Sequence, residues 1–157
     1  MPKIDRKLIS KKKDIIADLK KIIKAENILD HEDETRPFET DALSAYKQKP
    51  MVVIFPENTE EVSKILAYCN QQRIKVVPRG AGTGLSGGAL PLADSILLCL
   101  GKFNKIIDID YKNRCVVAQP GVTNLSITQA VQDKGFYYAP DPSSQIACSI
   151  GGNVAEN

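Results

Sequence analysis

Apolar residues recur early in the chain at helical spacing: Ile15, Ile16, Leu19, Ile22 and Ile23 fall on one face, among lysines and aspartates. That period predicts an amphipathic helix packed on the main domain. Lys3, Arg6, Lys7, Lys11, Lys12 and Lys13 precede or open it, as in a membrane-surface or targeting helix, but Asp5, Asp14 and Asp18 interrupt the positive face. Residues 30–49 are polar and irregular and end before Pro50. The expected division is therefore an N-terminal helix and lead-in over residues 1–46 and a domain over residues 47–157.

The domain opens on two short apolar runs, 51–55 and 74–77, flanking a helical pattern over 59–72 in which Val62, Ile65, Leu66 and Cys69 share a face. Asn58, with Glu61 three residues on, makes a capping box at its start. Strand, helix and strand in this order predict a parallel pair joined by a right-handed crossover. Residues 95–100 read as a third strand. The pattern then changes: 106–110 and 114–119 flank Tyr111-Lys112-Asn113 as an antiparallel hairpin, and 125–134 form a helix with Asn124 as cap and Gly135 at the left-handed position after it. The fold class expected is α+β: a small parallel β-α-β lobe followed by the start of a second, antiparallel lobe. Residues 154–157 begin an element with no end signal, so the expectation is an incomplete domain.

Between the runs 74–77 and 96–100 lies Pro-Arg-Gly-Ala-Gly-Thr-Gly-Leu-Ser-Gly-Gly-Ala, residues 78–89, with Gly80, Gly82, Gly84, Gly87 and Gly88. A fold keeps so many glycines together where backbone takes positive φ or closely approaches a ligand. Successive N–H groups in such a loop converge into a nest for an anion, phosphate above all, and Arg79 adds a cation beside it. A Walker loop is excluded, since Ala89 and Leu90 stand where Lys and Ser or Thr are required. The string G-x-G-x-x-G does occur at Gly82, Gly84 and Gly87, but Pro91 follows within four residues and no helix opens there, so a Rossmann site is disfavoured.

Composition narrows the chemistry. A net charge of +2 over 157 residues, without a basic stripe, argues against nucleic acid. No apolar run approaches the roughly 20 residues of a membrane span, and Lys and Asp stand where a signal peptide has its apolar core; the chain reads as cytoplasmic. Cys69, Cys99, Cys115 and Cys148 are irregularly spaced and read as reduced thiols, and His31 is the only histidine. With no catalytic cluster and no metal-ligand set in the pattern, any chemistry falls to a cofactor.

Three stretches taken together and in order are identified as those of a known family: residues 78–89, Gln119-Pro-Gly-Val122, and Asp141-Pro-Ser-Ser144 with Gly151-Gly-Asn-Val-Ala-Glu-Asn157. They resemble the FAD-binding domain of the vanillyl-alcohol oxidase and p-cresol methylhydroxylase (PCMH) superfamily, in the branch of the FAD-binding subunit of bacterial glycolate oxidase and the D-lactate dehydrogenases. The resemblance runs from about Asp41 to the last residue. It implies a PCMH-type domain with FAD between two lobes. On that pattern Gly80, Ala81, Gly82, Thr83 and Gly84 hold the pyrophosphate, Arg79 flanks them, and Ser86 and Gly87 close the turn. Pro140, Asp141, Pro142 and Ser144, and Ile150, Gly151, Gly152 and Asn153, lie along the ribityl chain and flavin ring. Some members attach flavin through a histidine or cysteine near the glycine loop; residues 78–89 hold neither, so FAD is expected to be non-covalent.

Two readings stay open at this level. One is the FAD-binding portion of an oxidoreductase acting on a 2-hydroxy acid, glycolate or D-lactate-like, with flavin N5 accepting hydride. The other is a truncated or split-gene remnant that binds nucleotide weakly and catalyses nothing alone. The family's cap domain, which carries catalytic and metal-binding side chains, has no counterpart here, so no catalytic or metal residue is assigned. The partners implied are FAD and either the C-terminal part as a separate chain or other oxidase subunits, through which the chain would sit peripherally at the inner membrane.

Overall fold

The computed structural model describes residues 3–140 and 142–156. Asp5 caps α1 (Arg6–Ser10), accepting from the Lys7 and Leu8 N–H groups at 2.9 and 3.1 Å. The single helix expected from periodicity divides at Lys11, and α2 (Lys12–Leu19) follows. Ser10 Oγ donates to Lys7 O at 2.8 Å, a local bond that competes with the helical ladder at the break. A 3-10 turn (Ala25–Asn27) leads into β1 (Ile28–Leu29), and α3 (Glu32–Thr35) with a second 3-10 turn (Arg36–Phe38) occupies part of the segment expected to be irregular.

The parallel unit then follows as β2 (Val52–Ile54), α4 (Thr59–Gln72), β3 (Lys75–Arg79) and β4 (Ser95–Cys99). Asn58 Oδ1 caps α4 by accepting from Glu61 N–H at 2.9 Å, while Glu61 Oε2 accepts from Glu57 N–H at 2.7 Å. The sheet order is β1-β2-β4-β3, with β1 antiparallel and the rest parallel. The expected β2–β3 pair is therefore corrected: β4 lies between them, with Leu97 opposite both Val53 and Val77. The physical reason is composition. All five residues of β4 are buried, as a central strand requires, whereas β3 carries Pro78, which lacks an N–H and suits an edge.

Both faces of this sheet are covered. Ile15, Leu19 and Ile23 pack with Ile65 and Cys69 against Val52, Ile54, Ile96 and Leu98 on one side. On the other, Phe38 and Phe55 meet edge to face at 5.8 Å beside Val53, Leu97 and Cys99. Residues 15–23 and β1 thus share core and sheet with residues 51–99.

The second lobe is β5 (Ile106–Asp110) and β6 (Cys115–Ala118), an antiparallel pair, with α5 (Asn124–Val131) and α6 (Ile150–Glu156). Asp110 closes the hairpin turn by accepting from Asn113 N and Nδ2 at 2.9 and 2.6 Å. Thr123, not Asn124, caps α5, its Oγ1 accepting from Ser126 N–H at 3.2 Å. The helix gives way to a 3-10 turn (Gln132–Lys134) ending on Gly135 at φ 76. The fold is α+β, a parallel lobe followed by an antiparallel one.

Candidate functional site

The glycine loop leaves the C-terminal end of β3, where parallel sheets of this kind bind ligands. Gly82 and Gly87 take positive φ, 74 and 79. At Gly82 a side chain is strained by the positive φ, and a Cβ there, 2.5 Å from Arg79 Cζ, would also push the guanidinium aside. Arg79 runs beneath the loop: Nη1 donates to Thr40 O at 2.8 Å and reaches Ala89 O at 3.5 Å, and Cζ lies 5.7 Å from the centre of the Phe38 ring. Its guanidinium therefore joins the lead-in segment to the far end of the loop. Among the described residues, no backbone N–H of residues 80–84 donates to a backbone carbonyl.

The facing wall belongs to the second lobe. Residues 120–124 run beside 148–151: Gly151 N–H donates to Pro120 O at 2.8 Å, Ile150 N–H to Val122 O at 2.8 Å, and Asn124 N–H to Cys148 O at 3.2 Å. The approach is so close that a Cβ at Gly151 would lie 2.6 Å from Pro120 Cβ, which explains the glycine there. Asn124, 1% exposed, binds across this wall, donating through Nδ2 to Pro140 O at 2.6 Å and accepting through Oδ1 from Asn153 Nδ2 at 3.0 Å. One amide thus fixes the Pro140 turn, α5 and α6 relative to one another. Ser144 O accepts from Cys148 N–H at 2.8 Å and completes the turn.

Between these walls lies a cleft of about 860 Å³, within the range of small-molecule and cofactor sites. Of the residues singled out from sequence, Arg79, Gly80, Ala81, Gly82, Thr83 and Gly84 line one wall, and Pro140, Pro142, Ser144, Gly151, Gly152 and Asn153 the other. Ser86 and Gly87 are not brought to the cleft surface, and Ile150 lines a separate apolar groove with Ile109, Val116 and Val131. Asp141 lies outside the described residues. Sequence reasoning missed Ser149 and Glu156, both of which line the cleft. Ser149 is 5% exposed, and its Oγ, facing Gly80, has no hydrogen-bond partner among the described residues. Its position beside the Gly151-Gly152 pair was the available signal.

Electrostatically the site is sparse. Among the described residues, Arg79 and Glu156 are the charged ones lining the cleft. Burial pushes the Cys99 thiol up to about 12, against a smaller downward pull from Arg79, so it stays protonated beneath the loop. Among the described residues no group of histidine, cysteine or acidic side chains is placed to hold a metal ion, and no helix is long and apolar enough to cross a membrane.

Residues 50–157 match a family described as FAD binding domain. The chain is 50% identical over 157 residues to glycolate oxidase subunit GlcD of Escherichia coli (strain K12), covering 100% of this chain and 30% of that protein. It is 36% identical over 138 residues to a D-lactate dehydrogenase of Anaerostipes hadrus, covering 87% and 29% respectively. Its fold superposes on a p-cresol methylhydroxylase solved with substrate bound, with a TM-score of 0.79 at 20% identity, over 96% of this chain and 30% of that one. The chain thus spans about 30% of the length of the curated relatives it matches.

Proposed function

The chain belongs to the FAD binding domain family, which residues 50–157 match, and from that premise we propose that its cleft holds FAD non-covalently as the FAD-binding portion of an oxidoreductase acting on a 2-hydroxy acid. The substrate class proposed is glycolate or D-lactate-like, after the relatives GlcD and D-lactate dehydrogenase. The observation that carries the cofactor reading is the loop at residues 80–84. Among the described residues its N–H groups are not spent on backbone carbonyls, and it faces a second wall where the buried Ser149 hydroxyl has no partner among those residues. A polar atom so placed is costly unless a ligand supplies its partner.

In this reading Gly80, Ala81, Gly82, Thr83 and Gly84 bind the pyrophosphate through backbone N–H groups, which add donors without bulk. Arg79 holds the loop in shape from beneath. Pro140, Pro142 and Ser144, with Gly151, Gly152 and Asn153, orient the ribityl and flavin end, and Asn124 keeps that wall rigid. When bound, FAD would supply the two-electron redox chemistry that oxidation of a 2-hydroxy acid needs. Protein groups at the cleft bind, orient and exclude water; among those described there is no histidine and no acid besides Glu156, so no catalytic residue is assigned to them.

The loop leads to β4, and no helix begins between Gly87 and that strand, which separates this site from a Rossmann site despite the G-x-G-x-x-G string. Equilibrium dialysis of the purified chain against FAD and NAD tests this. The expected result is FAD binding at least tenfold tighter, about 1.4 kcal/mol; equal affinities would overturn the reading. Acid precipitation of the loaded protein should release all flavin. Flavin left in the pellet would show a covalent bond, with Cys148 on the cleft wall the first residue to examine.

A further inference from the structure

The last turn of α6 carries a carboxylate back into the glycine loop. Ser86 Oγ donates to Glu156 Oε1 at 2.9 Å across 70 positions of sequence. The same carboxylate lies directly over Gly84, where a Cβ would overlap both its oxygens, and a Cβ at Gly88 would stand 3.0 Å from Oε1. Arg79, the other charged residue of the cleft among those described, commits its guanidinium to Thr40 O beneath the loop. The carboxylate thus stands against the glycine loop from the opposite wall, held there by the Ser86 hydroxyl, while among the described residues no backbone N–H of residues 80–88 donates to it.

We propose that Glu156 sets the affinity of the cleft for its cofactor: its carboxylate, held over Gly84 by Ser86, stands where it opposes the pyrophosphate of FAD and has to withdraw for the loop to take it. This rests on the reading of the cleft as an FAD site and adds its regulation. Two anions a few ångströms apart at one loop disfavour one another. Only the fraction of molecules with Glu156 withdrawn is competent, and the apparent affinity falls by that fraction. Ser86 then acts as the anchor of Glu156, consistent with its place off the cleft surface.

The test measures the FAD dissociation constant by quenching of flavin fluorescence for wild type, E156A, E156Q and S86A. Hydrogen exchange of residues 80–88 is measured alongside in the cofactor-free proteins. E156Q keeps the size of the side chain and guards against misfolding. The expected result is FAD bound about tenfold more tightly by both Glu156 variants, tighter binding in S86A, and faster exchange of the free loop in all three. Wild type binding FAD while both Glu156 variants bind it equally or more weakly overturns the proposal and makes Glu156 a buttress of the loop. If no protein binds FAD while circular dichroism reports an unchanged fold, the FAD reading itself falls. Hydrogen exchange then decides the contact alone: unchanged exchange in E156A and E156Q overturns it, and faster exchange sustains it.

Discussion

Arg79 illustrates what a residue's identity does and does not disclose. Beside five glycines it reads as a cation for phosphate, yet its guanidinium is bonded to Thr40 O at 2.8 Å and stacked 5.7 Å from Phe38. We expect Arg79→Ala to weaken FAD binding roughly 10- to 100-fold, since hydrogen bonds from charged groups contribute about 1.5–3 kcal/mol. Arg79→Lys should be nearly as damaging, because an ammonium lacks the planar guanidinium that bonds Thr40 O through Nη1 while lying over the Phe38 ring. Dissociation constants at about 50 and 300 mM salt check the account: a strut predicts a loss unaffected by salt, whereas a loss that shrinks as the Debye length contracts would mean direct phosphate contact. The glycines themselves were legible because Gly reports backbone geometry, and Gly82 does take positive φ. Glu156 was not legible, because its importance comes from segments that meet only in three dimensions, and Ser149 was marked only by its place beside Gly151-Gly152.

At the scale of elements, the helix α4 was readable to its bounds from Asn58, Glu61 and the apolar stripe, all local signals. Strand order was not, since an apolar run says that a strand is buried but not which strand lies beside it. β1, two residues long, is too short to show a period. The lead-in is clamped to the parallel lobe by a polar cluster: Glu57 Oε2 accepts from Lys24 Nζ at 2.8 Å, and Glu57 Oε1 from Asn27 Nδ2 and Lys102 Nζ, both at 3.1 Å. Lys24 first, then Asn27 and Lys102, push the Glu57 carboxyl down from its ordinary 4.5 to about 2. A carboxyl whose value is lowered by folding contributes stability that is present above its ordinary value and lost as pH falls through the folded one. Thermal unfolding followed from pH 7 downward should therefore lose a component between about 4.5 and 2. E57Q should be less stable at pH 7 and lack that component; an E57Q profile parallel to wild type throughout would remove Glu57 from the account.

For the whole molecule, the two lobes meet at the cleft, and most of the residues marked for the cofactor line it from one side or the other. That division was foreseen from the change of pattern after residues 95–100, while the wall built by Asn124 was not, because Asn124 read as a local cap. The central claim is that FAD bridges the lobes by way of backbone donors in the glycine loop. The most direct measurement is the FAD-induced shift in thermal unfolding of wild type against Gly82→Val. Valine is strained at φ 74 and would press on the Arg79 guanidinium. A ligand that binds only the folded state stabilises it by about 2.7 kcal/mol at one hundred times its dissociation constant. The account predicts a rise in melting temperature of several degrees for wild type with saturating FAD and no rise for Gly82→Val. An equal FAD-dependent rise in both proteins would contradict it.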